Sequence, residues 1–206
     1  HLPKLKSARW ISVGRLDFNT SGLLLLTTSG DLANALMHPA SLIEREYAVR
    51  IRGELSDPQI AQLCGGIELE DGLAKFERIE ARGGGASNRW YHVVLHEGRN
   101  REVRRLFEAV DLTVSRLMRV RFGPVRLPPR LRPGKFLELS PNETRSLTSI
   151  SRNLELPAEH SSPLTESNRK SDRAAGGTPV RRRVPGDAGQ IPARRGKAGR
   201  ASYRSV

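Results

Sequence analysis

A single aspartate stands in a loop whose neighbours make it a candidate for chemistry. Asp17 lies between Leu16 and Phe18 in the stretch VGRLDFNTSG, just ahead of the apolar run LLLLTTS at residues 23–29. Its ordinary role would be an Asx-turn, in which the side chain hydrogen-bonds to nearby backbone. Apolar neighbours desolvate a carboxylate, however, and it then needs a cationic partner. Asp17 is therefore either a turn-forming residue or a reactive group.

A second set of candidates lies in the basic segment EGRNREVRRLFEAV, residues 97–110. Apolar residues recur there at i, i+3, i+4 and i+7, which predicts a helix with one buried stripe. Arg101, Arg104 and Arg105 follow the i, i+3, i+4 spacing of one helix face. Arg104 flanks the stripe and is placed to point along the sheet toward a carboxylate. Arg101 and Arg105 are either phosphate contacts or solvated side chains.

An aromatic candidate, Tyr47, lies in the alternating segment EYAVRI at residues 46–51. A tyrosine near a basic surface can stack on an unpaired base, but a core tyrosine with a satisfied hydroxyl fits this pattern equally well. On a strand, His92 and His96 would stand about 13 Å apart, too far to share a metal. The sequence also lacks a GxxxxGK[ST] loop. We expect neither a metal nor a cofactor.

The elements that must position these residues are hairpins mixed with helices, without regular βαβ alternation. This order predicts an α+β fold with a mostly antiparallel sheet flanked by helices. Strands are predicted at residues 9–13, 23–29, 46–51, 74–81, 90–97, 112–123 and 135–139, with a Gly-rich turn at 83–85. Helices are predicted at residues 30–38, 55–66, 100–110 and 140–150.

Charge divides the chain into two parts. The net charge is +13, from 35 basic and 22 acidic residues. Residues 167–206 hold 11 Lys and Arg against 2 acidic residues, a net of +9, which leaves +4 on the rest. We therefore expect a folded domain over residues 1–156. Residues 157–206 are expected to form a disordered basic tail that is either attracted to nucleic acid or simply solvated.

Several protein classes are disfavoured by composition. The only cysteine, Cys64, allows no internal disulfide and no cysteine-rich zinc site, so we expect it to be a small buried hydrophobe. Apolar runs are too short to span a membrane, and a secretory signal is absent from the sequence. We expect a soluble, cytoplasmic protein with a polyanionic partner.

Three segments together resemble the RsuA/RluB group of pseudouridine synthases. They are VGRLDFNTSGLLLLTTSGDLANALMHP, EREYAVRI, and EGRNREVRRLFEAV followed by VSRLMRVRFGPVRLP, and the likeness covers roughly residues 3–140. The resemblance implies cofactor-free isomerisation of a uridine in 23S ribosomal RNA, by a monomer acting on this RNA or on the pre-ribosomal large subunit. It also implies an S4-type RNA-binding domain and a first catalytic strand ahead of residue 1.

The resemblance also implies roles for individual residues. Asp17 is similar to the family's essential aspartate, Arg104 to the arginine that pairs with it, and Tyr47 to the tyrosine that stacks on the base and assists proton removal from C5. The remaining expected substrate contacts are Arg15, which helps to flip or hold the RNA, Leu117, which walls the uracil pocket, and Asn19, Arg101 and Arg105.

Two alternatives to 23S RNA isomerisation stay open from the sequence. One is a non-catalytic RNA-binding or ribosome-assembly factor with the same fold. The other is the same chemistry on 16S ribosomal RNA or on transfer RNA. The presence of Asp17 favours an enzyme over a binding factor, because a carboxylate repels phosphate.

Overall fold

A computed structural model describes residues 2–85, 87–155 and 201–205. Within these ranges lie eleven strands and four α-helices. The strands are β1 (Ile11–Val13), β2 (Ser21–Thr27), β3 (Arg45–Arg52), β4 (Ile67–Leu69), β5 (Gly72–Ala74), β6 (Arg78–Gly85), β7 (Asn88–Leu95), β8 (Val114–Phe122), β9 (Val125–Arg126), β10 (Phe136–Glu138) and β11 (Ala201–Ser205). The helices are α1 (Gly30–Met37), α2 (Asp57–Gly65), α3 (Glu102–Glu108) and α4 (Pro141–Glu155).

Nine of these strands form one mixed sheet. Its order is β10-β11-β2-β8-β3-β7-β6, with β1 added to β2 and β9 to β8. The β2–β8 pair is parallel, and the other described pairs of this sheet are antiparallel. The parallel pair sets the strand that follows the Asp17 loop beside the strand that carries Leu117. The predicted α+β fold with a mostly antiparallel sheet is confirmed.

Two hydrophobic clusters hold the helices to the sheet. In one, Phe107 of α3 and Leu63 of α2 are fully buried with residues of β3 and β7, and the Phe107 ring lies 5.6 Å from that of Phe76. In the other, Leu36 of α1 and Leu147 of α4 pack with apolar residues of β2. The apolar stripe that predicted α3 is therefore the surface by which this helix is fixed in place.

Capping boxes begin the second and fourth helices, as their sequences predict. The Ser56 backbone N–H donates to the Gln59 side chain at 3.0 Å, and the Ser140 N–H donates to Glu143 at 2.9 Å. Each bond satisfies a backbone donor that the helix itself leaves unpaired.

The structure differs from the sequence prediction in several places; β9 was not predicted, and Cys64 is half-buried rather than fully buried. β4 and β5 form a small separate hairpin that was not predicted, since three-residue strands are too short to show an alternating pattern. The glycines at 83–85 belong to the end of β6 rather than to a turn. Finally, 201–205, predicted to be part of the disordered tail, form β11.

β11 lies between β2 and β10 and pairs with both, on the edge of β2 opposite β8. Backbone pairing at an edge depends little on side-chain pattern, which explains why composition failed to predict it. The rest of the predicted tail, residues 157–200 and 206, lies outside the described residues. None of the described helices is long and apolar enough to cross a membrane.

Candidate active site

A cleft of about 470 Å³ lies where the Asp17 loop meets β3, β8 and the N-terminal end of α3. Of the residues predicted to form the site, Asp17, Tyr47, Arg15, Leu117 and Arg101 line this cleft. Residues from four distant parts of the chain thus converge on one cavity. Arg104, Arg105 and Asn19 are absent from its lining.

Asp17 occupies the first position of a tight turn. The Thr20 N–H donates to the Asp17 carbonyl oxygen at 2.9 Å, which leaves Phe18 and Asn19 at the tip. The turn is made by the backbone, so the Asp17 carboxylate is not used to build it. That side chain is half-buried and faces the cleft. A carboxylate without a structural task in a cleft is available for chemistry.

Arg104 lies beneath this turn and supports it. The side chain is 8% exposed, and its two terminal nitrogens donate to the carbonyl oxygens of Asn19, at 2.7 Å, and Val114, at 3.0 Å. Burial lowers the pKa of Arg104, the positive charge of Arg101 lowers it further, and the negative charge of Asp17 opposes both. The charges of Asp17 and Arg104 therefore interact, although no hydrogen bond joins them among the described residues.

The expected direct pairing of Arg104 with Asp17 is not seen in the described residues. No ion pair within 4.0 Å joins the two side chains there. The two terminal nitrogens of the buried guanidinium instead donate to backbone carbonyls, and its Nε has no hydrogen-bond partner among the described residues. Arg104 holds the loop by its backbone and acts on Asp17 electrostatically.

Tyr47 stands in a row of residues that runs across three strands. Its register partner on β8 is Arg119, which in turn pairs with Gly22 on β2. Tyr47 is half-buried and packs against the larger hydrophobic cluster, with part of its surface in the cleft. Its ring is therefore partly core and partly cleft wall, and stacking on a base remains a prediction.

Gly22 allows the parallel pair to approach closely. Its φ is +107°, and a Cβ added there would lie 2.3 Å from the Arg119 carbonyl oxygen. No other residue type fits this position without moving backbone. The glycine after the Asp17 turn is thus required for the strand contact that closes one side of the cleft.

Two buried arginines form part of the cleft wall, and both were missed from the sequence. Arg45 is 9% and Arg119 is 3% exposed, and their guanidinium carbons lie 5.2 Å and 5.6 Å from the centre of the Phe122 ring. Burial lowers the pKa of Arg45, with Arg119 acting in the same direction and Tyr47 against it. Strand alternation could have found both, because Arg45 is two residues from Tyr47 and Arg119 two from Leu117.

The carboxylate of Glu102 is a further cleft residue that sequence reasoning missed. It is 4% exposed and accepts a hydrogen bond from the Arg99 backbone N–H at 3.0 Å. Burial raises its pKa, and this bond and the charge of Arg99 oppose the rise. The cleft wall holds five arginines and two acidic residues, which suits a ligand that carries phosphate.

The other predicted contacts take different places. Leu117 is a buried cleft residue, whereas Arg15 and Arg101 are exposed at the cleft, and Arg101 lies 3.6 Å from the carboxylate of Glu108. Arg105 instead donates to both oxygens of Asp71 at 2.8 Å, away from the cleft. Asn19 offers its carbonyl to Arg104, and its side chain is exposed at the turn. Substrate contact by Arg105 and Asn19 remains a prediction.

Comparison with known proteins shows which class of protein this fold and cleft define. Residues 1–109 match the family described as RNA pseudouridylate synthase. The chain belongs to this family, so the family resemblance inferred from the sequence motifs is confirmed.

Two named relatives are both ribosomal large subunit pseudouridine synthase B. The chain is 53% identical to the protein of Shigella flexneri over 174 residues, which are 84% of this chain and 59% of that protein. It is 46% identical to the protein of Vibrio vulnificus (strain CMCP6) over 205 residues, 98% of this chain and 63% of that protein. The chain thus spans about three-fifths of the length of these relatives.

A solved structure agrees with the family assignment. The crystal structure of a pseudouridylate synthase superposes with a TM-score of 0.60 at 29% identity, over 67% of this chain and 59% of that one.

Proposed function

We propose that the protein isomerises a uridine of 23S ribosomal RNA to pseudouridine and that Asp17 is its essential residue. The observation that carries the proposal is the Asp17 carboxylate, which faces an arginine-rich cleft and has no structural task among the described residues. The names of the relatives support ribosomal RNA of the large subunit as the substrate. With this substrate, we expect the protein to act in the cytoplasm.

The reaction exchanges one bond for another within the nucleotide. The bond between N1 of uracil and C1′ of the ribose breaks, the uracil rotates, and a new bond forms between C5 and C1′. The proton lost from C5 is balanced by the proton gained at N1. The product is an isomer of the substrate, so the balance needs no oxidant or reductant.

Asp17 is placed to start this reaction. Its carboxylate acts either as a nucleophile or as the group that initiates glycosidic cleavage. Both roles require an ionised carboxylate held at a fixed place, and the Thr20 hydrogen bond and the Arg104 contact with Asn19 fix the turn. Arg104 adds a buried positive charge close to this turn.

Tyr47 and the arginines bind the nucleotide while this happens. The Tyr47 ring offers a face for the uracil and its hydroxyl assists proton removal from C5, while Leu117 bounds the space beside it. In this account Arg15 and Arg101, both exposed at the cleft, contact phosphates next to the flipped nucleotide. The base must leave its stack to reach this cleft.

The test is release of tritium from large-subunit ribosomal RNA labelled at uracil C5. The full-length protein should release tritium, and Asp17→Asn should release none while binding the same RNA, since the substitution removes charge and keeps shape. Tyr47→Phe should bind normally and turn over slowly. Turnover by Asp17→Asn near the wild-type rate would remove Asp17 from the mechanism. RNA binding without release by the wild type would support the binding-factor alternative.

A further inference from the structure

We propose that Phe18 is a wedge, whose ring enters the RNA stack and fills the gap left by the departing uridine. The inference rests on the proposed function, because a gap arises only where a base is taken out of the stack. Phe18 acts in this account as a positioning residue and has no part in the bond exchange.

The exposure of Phe18 has no explanation in the packing of the described residues. Its relative exposure is 103%, whereas the other exposed large apolar side chains lie between 42% and 63%. An aromatic ring held entirely in water loses the hydrophobic stabilisation that burial would give. The ring follows the cleft residue Asp17 in the chain and is not covered by other described residues, so its whole surface is available to a ligand.

The turn presents this ring on a rigid support. Phe18 follows Asp17 at the tip of the turn closed by the Thr20 N–H. The next residue, Asn19, is held through its carbonyl by the buried guanidinium of Arg104 at 2.7 Å. One hydrogen bond to the carbonyl of the residue before Phe18 and one to that of the residue after it fix the backbone here. Little conformational entropy is therefore lost when the ring meets RNA.

The position of the ring matches the place where the gap must open. Asp17 has to meet the ribose of the flipped uridine, and Phe18 is the adjacent residue. The neighbouring bases of the RNA strand therefore pass close to Phe18. Apolar side chains inserted between base steps are a known means of holding a duplex open, and aromatic rings stack on any base.

The experiment compares two stem-loop RNAs that contain the mapped target uridine. In the first, the uridine is paired within the helix. In the second, the opposing nucleotide is deleted, so that the uridine is bulged and leaves no gap to fill. Phe18→Ala in the full-length protein should lower kcat/KM roughly 10-fold on the paired RNA and less than about 3-fold on the bulged RNA. Phe18→Trp should restore the paired activity, since it also stacks.

A matched control is Leu42→Ala. Leu42 is 63% exposed and follows the short 3-10 helix at Pro39–Ser41, in a different loop from Asp17, so its truncation should affect neither RNA. A second measurement places 2-aminopurine beside the target, in the Asp17→Asn background. Fluorescence on binding should differ between Phe18 and Phe18→Ala, because the wedge changes the stacking of that base.

Two results would overturn the wedge. One is equal loss on the paired and bulged RNAs, which would make Phe18 a general contact. The other is unchanged activity of Phe18→Ala on both. If instead the wild type formed no pseudouridine in either RNA, both the proposed function and the wedge would fail. The reaction of the wild type therefore distinguishes failure of the proposed function from failure of the wedge alone.

Discussion

The guanidinium of Arg104 donates a hydrogen bond to the carbonyl oxygen of Asn19 at 2.7 Å, across 85 residues of sequence. The same side chain donates to Val114, at the start of β8. Arg104 thus ties the turn that presents Asp17 to the strand that leads to the cleft. The position of the carboxylate depends on this buried cation through the backbone and not through a direct ion pair.

Arg104→Lys should therefore lower the activity of the protein even though it keeps the charge. A lysine ammonium cannot reach two carbonyls placed for a guanidinium fork. Hydrogen bonds to charged groups contribute about 1.5–3 kcal/mol each, so kcat should fall roughly 10- to 100-fold. Single-turnover rates of tritium release measure this.

Arg78→Lys is the control for that variant, since it makes the same change at an arginine outside the predicted site. Arg78 pairs with Glu80 on the exposed part of β6 and does not line the cleft, so its replacement should leave kcat within about 2-fold. Full activity of Arg104→Lys would show that charge alone is required and that the turn needs no support from Arg104.

Gly22→Ala should destabilise the fold strongly. The new Cβ would meet the Arg119 carbonyl oxygen at 2.3 Å in a left-handed backbone conformation. Strain of this kind costs about 1–3 kcal/mol before the clash is counted. Urea unfolding monitors the loss. Gly65→Ala, where a Cβ meets nothing within 4 Å, should be neutral or slightly stabilising; equal losses in both variants would contradict the role of the close strand contact.

Glu46 should make the free energy of unfolding depend on pH in the acidic range. Burial alone would raise its pKa, but hydrogen bonds from Arg121, at 2.8 Å, and His92, at 2.7 Å, outweigh burial and lower it below the ordinary 4.5. A depressed pKa adds stability above the unfolded-state value, and this stability is lost as pH falls through the folded-state value. The free energy of unfolding of Glu46→Gln should therefore fall further below wild type as pH rises from 3 to 6.

Glu102 should behave in the opposite way. Burial raises its pKa above the ordinary 4.5, so the folded state binds the carboxyl proton more tightly than the unfolded state does. The free energy of unfolding therefore declines as pH rises from the unfolded-state pKa through the folded-state pKa. The free energy of unfolding of Glu102→Gln should gain on wild type as pH rises. Denaturation by urea between pH 3 and 7 tests both variants. The same sign of pH dependence in the two would refute the assigned environments.

RNA binding should depend less steeply on salt concentration when an exposed cleft arginine is removed. Arg15→Ala and Arg101→Ala should each lower the slope of log Kd against log salt by about 1, because each contact releases about one counterion. Filter binding with large-subunit RNA measures the slope. Arg82→Ala is the control, since Arg82 pairs with Glu80 on β6 away from the cleft. An unchanged slope for Arg15→Ala would mean that it touches no phosphate.

The sequence by itself determined the local elements and the separate motifs. The i, i+3, i+4 stripe predicted α3, the capping boxes predicted the starts of α2 and α4, and alternation predicted β3 and β8. These features depend on residues a few positions apart, so they can be read without the fold. The loop around Asp17 also carried the family resemblance.

Only the tertiary structure decided which side chains meet. It placed Arg45 and Arg119 in the cleft with Tyr47, bound Arg105 to Asp71, and turned Arg104 toward backbone carbonyls instead of the Asp17 carboxylate. The buried donors of an arginine take whichever acceptors the packed chain offers, and those acceptors lie on strands that are distant in sequence. Strand order and register set these distances, and a local pattern contains neither.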